Sequence, residues 1–211
     1  MNIGIILAGG SGVRFGGTVP KQYQKIKGKD VISYVIDAFV NSAKINHTIV
    51  VSHPDYVNYI QKTYSITAIE GGDDRNITVY NALNYIRTNY KECTNVVFAD
   101  SARPCLKPKH LDEICTILEE HDALITVAKI TDSLSHDNGT LVDRSKYFLV
   151  QTPEAFRLST LSNFKKHSDA TAIIQQSSCS NVYFYKNIIY NFKITYPEDL
   201  VIVEALLEAK K

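Results

Sequence analysis

The sequence predicts a single α/β domain with a mainly parallel sheet. Short apolar runs alternate along the chain with segments in which apolar residues recur at helical spacing, a pattern typical of strand–helix–strand units. The length of 211 residues suits one domain, and no repeat or low-complexity linker divides it. Polar clusters follow three of the apolar runs, where open α/β sheets bind ligands. We therefore expect one domain over residues 1–211, with a site at the carboxyl ends of its strands.

Strands and helices are predicted in strict alternation up to residue 127. The apolar runs are short and end in glycine or polar residues, so they favour buried strands. Two helices are also favoured by a proline at the first position, where its missing N–H is not needed. The predicted strands are 3–7, 48–52, 66–69, 96–99 and 123–127, and the predicted helices are 31–40, 54–64, 76–89 and 108–120.

The alternation stops after residue 127. Residues 129–150 surround the turn signal His136–Gly139, in which Asn138-Gly139 favours a β-hairpin. We therefore predict a β-arm insertion at 129–150. Further elements are a helical segment at 158–164, strands at 182–185 and 192–194, and a last helix from Pro197 to the end of the chain.

Composition excludes several classes of protein. The net charge is +1 with scattered Lys and Arg, so we expect neither a nucleic-acid footprint nor a membrane-binding face. No apolar run approaches the roughly 18 to 20 residues of a membrane span, and residues 1–4 lack a signal-peptide start, so a cytoplasmic location is expected. The four cysteines and six histidines have no metal-ligand spacing, which argues against a zinc hydrolase.

Glycine is concentrated at two places, and the first is the loop after the first strand. Residues 7–23 read LAGGSGVRFGGTVPKQY. This is not a Walker A sequence, and the missing third glycine argues against an NAD-dependent oxidoreductase. Its free backbone amides, together with Arg14 and Lys21, suit phosphate oxygens and the charge that develops during displacement at phosphorus. The alternative is an ordinary glycine-rich turn with surface cations.

Two further loops carry polar clusters. Residues 70–75, EGGDDR, precede a predicted helix whose N-terminus could face a polar ligand, although Asp74 or Asn76 could equally be a plain N-cap. Asp100 ends a buried strand, where a carboxylate is costly unless it is paired. It could hold a divalent cation or form an ion pair with Arg103.

These segments together resemble the CTP-dependent cytidylyltransferases that act on polyol phosphates, the family of 2-C-methyl-D-erythritol 4-phosphate cytidylyltransferase and ribitol-5-phosphate cytidylyltransferase. The first loop matches the signature LAxGxGxRxGxxxPKQ. Further blocks follow in family order: EGGDDR at 70–75, ADSARP at 99–104, ITDS at 130–133, VDR at 142–144, VQTPEAF at 150–156 and FKITYPEDL at 192–200. The resemblance implies a Rossmann-like nucleotidyltransferase domain of the GT-A-like type, with a β-hairpin arm that forms a homodimer.

The resemblance also implies roles for individual residues. Asp100 would lie near a magnesium ion, and the reaction would use CTP and a polyol phosphate. The catalytic cations would be Arg14, Lys21 and Lys193. Nucleotide-binding residues would be Leu7, Ala8, Gly9, Gly10, Gly12, Gly72, Asp73, Arg75, Thr78 and Ser101, and acceptor-binding residues would be Arg103, Asp132, Ser133 and Arg144.

The acceptor is the open part of the interpretation. Residues 167–170 read HSDA where the family has Thr-Asp-(Asp/Glu)-Ala, and Tyr190 replaces a common acidic residue. The LAGG loop, Arg75-Asn76 and Asp100-Ser101 look closer to the ribitol-phosphate type, so we expect an acceptor similar to ribitol 5-phosphate, used for surface glycopolymers. The first alternative is 2-C-methyl-D-erythritol 4-phosphate in isoprenoid synthesis, and the second is a non-catalytic nucleotide-binding protein.

Overall fold

A seven-stranded sheet forms the centre of the computed structural model, which describes residues 1–10, 15–167 and 172–209. The strands are β1 (Asn2–Ala8), β2 (Lys25–Ile26), β3 (Lys29–Asp30), β4 (His47–Ser52), β5 (Thr67–Glu70), β6 (Asn95–Asp100), β7 (Ala123–Lys129), β8 (Leu134–Ser135), β9 (Leu141–Val142), β10 (Phe148–Arg157) and β11 (Val182–Tyr185). The helices are α1 (Val31–Val40), α2 (Pro54–Tyr64), α3 (Arg75–Asn89), α4 (Pro108–Ile117), α5 (Ile173–Gln176) and α6 (Asp199–Glu208), with 3-10 turns at Lys21–Tyr23, Arg144–Lys146 and Leu158–Leu161.

The order of strands in the sheet is β11-β7-β10-β6-β1-β4-β5. Neighbouring strands pair in parallel except where β10 pairs antiparallel with β6 and β7. The predicted α/β class with a mainly parallel sheet is therefore confirmed. β1 lies inside the sheet, between β6 and β4, and nearly all of its residues are apolar and buried, as a strand covered on both faces requires.

Helices cover both faces of the sheet. Alternate residues of β6 belong to different halves of the core: Val97 and Ala99 pack with α1, α2 and α4, whereas Val96 and Phe98 pack with α3. This alternation follows from the two-residue period of a strand. A smaller apolar cluster, which includes Phe15, Ala102 and Ile194, joins the loops beside the cleft to α6.

The antiparallel strand β10 is the main element that the sequence did not predict. Its centre reads Gln151-Thr152-Pro153-Glu154, a polar stretch that hides the strand signal. The register with β7 shifts between Gln151 and Glu154, which lets the strand continue past the proline.

Several predicted bounds were wrong. Residues 192–194 form no strand, although the Ile194 amide donates to Ala102 O (2.9 Å). Residues 158–164 contain only the 3-10 turn Leu158–Leu161. The described helix α6 begins at Asp199, two residues after Pro197, because the Asp199 carboxylate accepts the amides of Thr195 and Tyr196 (2.7 and 2.8 Å) and caps the segment before it.

The predicted β-hairpin is present between residues 129 and 150. β8 and β9 pair antiparallel, and the connecting turn is closed by the Gly139 amide on His136 O (3.0 Å). Gly139 has a φ of +84°, which explains the Asn-Gly signal. Whether this arm forms a dimer stays a prediction. Across the described residues, none of the helices is long and apolar enough to cross a membrane.

We expect Gly4→Ala to lower the free energy of unfolding by about 1 to 3 kcal/mol through overpacking. A Cβ at Gly4 would lie 2.2 Å from Phe39 Cδ1, and Phe39, a residue of α1, is fully buried. Urea unfolding measures the change. The control is Gly10→Ala, whose Cβ would meet no atom of a described residue within 4 Å, and which should shift stability by less than about 0.5 kcal/mol. Equal unfolding free energies for the two variants would contradict the packing argument.

Candidate active site

A cleft of about 390 Å³ opens where β1, β5 and β6 end. Because these strands run parallel, the loops that follow them meet at one edge of the sheet. The predicted site residues that line the cleft are Leu7, Gly9, Gly10, Lys21, Gly72, Asp73, Arg75, Thr78, Asp100, Ser101 and Lys193. Eleven of the predicted residues therefore lie around one cleft, and the roles given to them stay predictions.

The glycine loop is attached to the Lys21–Tyr23 turn by Gln22. Its amide Nε2 donates to Ala8 O (2.9 Å) and to Gly10 O (3.0 Å). Tyr23 adds a hydrogen bond between its hydroxyl and Ser52 Oγ (2.6 Å). These contacts fix the turn that carries Lys21 against the end of β1. Gly12, Arg14 and residues 168–170 of the HSDA segment lie outside the described residues, so what was predicted of them stays a prediction.

The second glycine pair forms a tight turn onto α3. Asp74 is the N-cap of the helix, since its carboxylate accepts the Ile77 amide (2.7 Å). Thr78 Oγ1 accepts the Gly72 amide (3.1 Å) and donates to Asp74 O (2.7 Å). A Cβ at Gly72 would lie 2.1 Å from Ile77 Cγ2, so the turn requires glycine. One turn therefore caps α3 through Asp74 and lines the cleft through Gly72.

Asp100 is the centre of a charged cluster. Its Oδ2 lies 2.9 Å from Lys193 Nζ and 3.3 Å from Arg103 Nε. Burial raises the pKa of this carboxyl, but the charges of Lys193 and Arg103 outweigh burial and hold the pKa below its ordinary value. The expected ion pair with Arg103 is thus present, and Lys193 is a second partner that sequence spacing alone could not indicate.

Lys21 and Lys193 approach the cleft from opposite ends of the chain. Lys21 Nζ donates to Ile194 O (2.6 Å), the residue next to Lys193. The Ile194 side chain is fully buried, which fixes this junction. Two predicted catalytic cations therefore line one cleft, as charge neutralisation at a phosphorus centre requires.

Glu154 is a buried acid that the sequence did not single out. It lies on β10 opposite Phe98 and is only 3% exposed. Arg75 Nη2 lies 2.9 Å from its Oε2, so the first residue of α3 is anchored to the sheet. Burial raises the pKa of Glu154 above its ordinary value although Arg75 opposes the shift. The available signal was its place in the block VQTPEAF at 150–156.

The described residues can offer a magnesium ion few protein ligands. They contain no group of three or more His, Cys, Asp or Glu side chains able to hold a metal. Asp100 Oδ2 is engaged by the two cations, whereas Oδ1 makes no hydrogen bond to a described residue. One carboxylate oxygen fits an ion that keeps several waters and binds mainly through substrate phosphates.

The remaining predicted residues do not line this cleft. Ala8 is buried, and its carbonyl is engaged by Gln22. Arg103 is buried between Asp100 and Asn191 O, to which its Nη1 donates (2.6 Å), so it supports Asp100, while its contact with the acceptor stays a prediction. Asp132, Ser133 and Arg144 lie on the arm, away from the cleft of their own chain. The lining residues that sequence reasoning missed are Phe15, Gln22, Asp74, Ala102 and Thr195.

Comparisons with known proteins agree with this geometry. A family model described as 2-C-methyl-D-erythritol 4-phosphate cytidylyltransferase matches residues 3–209. The protein of that name from Lachnoclostridium phytofermentans is 32% identical over 225 residues, with 96% of this chain and 94% of that protein covered. A protein of the same name from Azobacteroides pseudotrichonymphae is 31% identical, with 97% of each covered.

Solved structures are similar in fold. The 4-diphosphocytidyl-2C-methyl-D-erythritol synthase of Anaerococcus prevotii superposes with a TM-score of 0.82 at 21% identity, covering 98% of this chain and 96% of that chain. The 2-C-methyl-D-erythritol 4-phosphate cytidylyltransferase of Thermus thermophilus has a TM-score of 0.78 at 23% identity, covering 99% and 100%. At these identities the similarity supports the fold alone.

The protein is an α/β domain in which glycine turns and two lysines border one cleft at the strand ends. Together with the family match, this defines it as a nucleotidyltransferase. More narrowly, the chain belongs to the 2-C-methyl-D-erythritol 4-phosphate cytidylyltransferase family. It is therefore an enzyme, which removes the non-catalytic alternative. Of the two expected acceptors, the comparisons favour the alternative, because the relatives described above carry the methylerythritol name and none the ribitol name.

We expect Glu154→Gln to gain stability relative to the wild type as pH rises. Because the pKa of Glu154 is raised on folding, the folded protein binds more protons than the unfolded chain above about pH 4.3. The free energy of unfolding of the wild type therefore falls as the pH rises from that value. Glutamine keeps an acceptor for Arg75 and removes the titration. Urea unfolding from pH 4 to 8 measures the difference, with exposed Glu92→Gln as the control for losing one carboxylate. A pH-independent difference would contradict the prediction.

Proposed function

We propose that this cytidylyltransferase transfers CMP from CTP to 2-C-methyl-D-erythritol 4-phosphate, releasing pyrophosphate. The observation that carries the acceptor assignment is the family match over residues 3–209. The proposal also places the enzyme in isoprenoid-precursor synthesis. It replaces the ribitol-phosphate expectation, which rested on a few positions such as Arg75-Asn76 and Asp100-Ser101.

The proposed reaction is a single displacement at phosphorus. An oxygen of the acceptor phosphate attacks the α-phosphorus of CTP, a new P–O bond forms, and the bond to the β,γ-pyrophosphate breaks. The acceptor phosphate is anionic at neutral pH, so no general base is needed to activate it. Catalysis then consists of positioning and of neutralising charge on the α-phosphate and the leaving group.

The cleft supplies that charge locally. Lys21 and Lys193 line it, and Arg14, outside the described residues, is proposed as a third cation. The backbone at Gly9 and Gly10 would receive the triphosphate, and the turn at Gly72 and Asp73 would receive the base and ribose. Mg²⁺, when bound through Asp100, would neutralise further charge on the triphosphate.

The arm is the proposed source of the acceptor contacts. Asp132, Ser133 and Arg144 lie on it, and Arg144 donates to Thr131 O within the same arm. We propose that two chains form a homodimer in which each arm reaches the other chain's acceptor. A guanidinium such as that of Arg144 suits the acceptor's phosphate through its paired donors.

We expect pyrophosphate release from CTP and Mg²⁺ with 2-C-methyl-D-erythritol 4-phosphate, and at least tenfold less with ribitol 5-phosphate, because a site that hydrogen-bonds one acceptor leaves polar groups unpaired with another (about 1 to 3 kcal/mol per group). A coupled pyrophosphate assay with a panel of polyol phosphates measures kcat/KM for each. Chelation of Mg²⁺ by EDTA should abolish release. A preference for ribitol 5-phosphate would overturn the acceptor assignment.

We expect Lys21→Ala to lower kcat by about 10²- to 10³-fold, the usual cost of removing one preorganised charge from a transition state. Folding should persist, because Lys21 lines a cleft and the neighbouring Gln22 and Tyr23 hold the turn. Steady-state kinetics and circular dichroism measure the two effects. Lys62→Ala, which removes an exposed lysine near the end of α2, is the charge control. Unchanged turnover of Lys21→Ala would refute the role.

A further inference from the structure

The segment that carries Lys193 has no regular secondary structure to hold it. Residues 186–198 form neither helix nor strand between β11 and α6. Tyr190 within it has a φ of +61°, a left-handed conformation that costs free energy for a residue other than glycine. Neighbouring contacts must therefore fix the segment if Lys193 Nζ is to stay 2.9 Å from Asp100.

Asn191 makes those contacts. Its side chain is 5% exposed, and its Nδ2 donates to Thr152 O (2.7 Å) and to Gln151 Oε1 (3.0 Å) on β10. Its backbone carbonyl accepts the Arg103 guanidinium (2.6 Å). One residue thus ties the irregular segment to the central sheet and to a charged partner of Asp100.

The same neighbours also hold Asp100. Thr152 Oγ1 accepts the Asp100 amide (2.9 Å), and Arg103 Nε lies 3.3 Å from the Asp100 carboxylate. Asn191 is therefore bonded to both residues that fix Asp100, and it lies two positions before Lys193. The two ends of the Lys193–Asp100 ion pair are thus held by one set of contacts.

The other amide atom of Asn191 gives an independent indication. Oδ1 is buried and has no hydrogen-bond partner among the described residues. Burying a carbonyl oxygen without a hydrogen-bond partner is unfavourable, so packing alone does not explain an asparagine at this position. The favourable contribution of the side chain is the pair of hydrogen bonds that Nδ2 donates.

We propose that Asn191 is a positioning residue that sets Lys193 against Asp100 and thereby aligns this cation in the cleft. It touches no substrate itself. Its effect on rate rests on the proposed function, whereas its effect on the ion pair does not.

The first test is kinetic. Asn191→Ala should lower kcat for pyrophosphate release by about 10- to 100-fold with a smaller change in KM, since small misplacement of a catalytic group has that effect. In a Lys193→Ala background the same substitution should cause less than about a twofold further loss, because the group that it positions is already gone. Multiplicative losses, or a kcat that stays near the wild-type value, would overturn the proposal.

The second test needs no substrate. Competitive acylation with acetic anhydride, read by peptide mass spectrometry against exposed Lys62, reports how freely the Lys193 amine reacts. The rate should rise severalfold in Asn191→Ala because the ion pair with Asp100 loosens, and an unchanged rate would overturn the proposal. If the wild type shows no turnover with 2-C-methyl-D-erythritol 4-phosphate, the proposed function is wrong. The acylation rate of Lys193 still tests whether Asn191 positions it.

The matched control is Asn95→Ala. Asn95 begins β6, at the opposite end of the strand from Asp100, and its Nδ2 donates to Asn2 Oδ1 (2.8 Å). This control should lose stability without changing kcat or the acylation of Lys193. If Asn191→Ala does not fold, Asn191→Ser takes its place, because serine keeps a polar side chain that is too short to reach both acceptors. The kinetic and acylation results of that variant are then read in the same way. An Asn95→Ala variant with the same kinetic and labelling changes would reduce Asn191 to a general stabilising role.

Discussion

The ion pairs of Asp100 with Lys193 and Arg103 are the interactions on which the cleft depends. Three charged groups lose water, wholly or in part, at the end of β6, and each is tolerable only while its partners remain. Removing one would leave the others uncompensated, which is more costly than never having placed them there. The arrangement joins distant parts of the chain, because Arg103 follows β6 while Lys193 comes from the irregular segment before α6.

The sequence predicted the parts of the fold that depend on burial alone. Apolar runs such as 48–52 and 96–99 are buried on both faces when they form strands between two layers of helices. Both strands, and their parallel pairing with β1, therefore follow from the pattern. It failed at β10 and at residues 192–194. In β10 the buried Thr152 and Glu154 and the half-buried Gln151 bind Asp100, Arg75 and Asn191, and local propensity carries no trace of such distant partners.

The cleft was predictable for a different reason. Glycine turns and cations that follow parallel strands must meet at one edge, so the sequence alone was enough to place Lys21, Gly72 and Asp100 together. What could not be predicted was which charges pair. Arg103 was predicted to contact the acceptor, and that contact stays a prediction; its hydrogen bond to Asn191 O, far along the chain, could not be predicted from the sequence. A chain with a net charge of +1 thereby concentrates positive charge without a basic face.

The β8–β9 hairpin forms a two-stranded sheet of its own, separate from the seven-stranded sheet. The register of the central sheet is set by other strands, so residues at the hairpin can be exchanged over evolutionary time with little consequence for folding of the domain. In the proposed function, the nucleotide site lies at the end of the central sheet, whereas the acceptor contacts lie on the arm. Such a layout allows a lineage to change its acceptor by drift and selection in one short loop while its use of CTP is inherited intact.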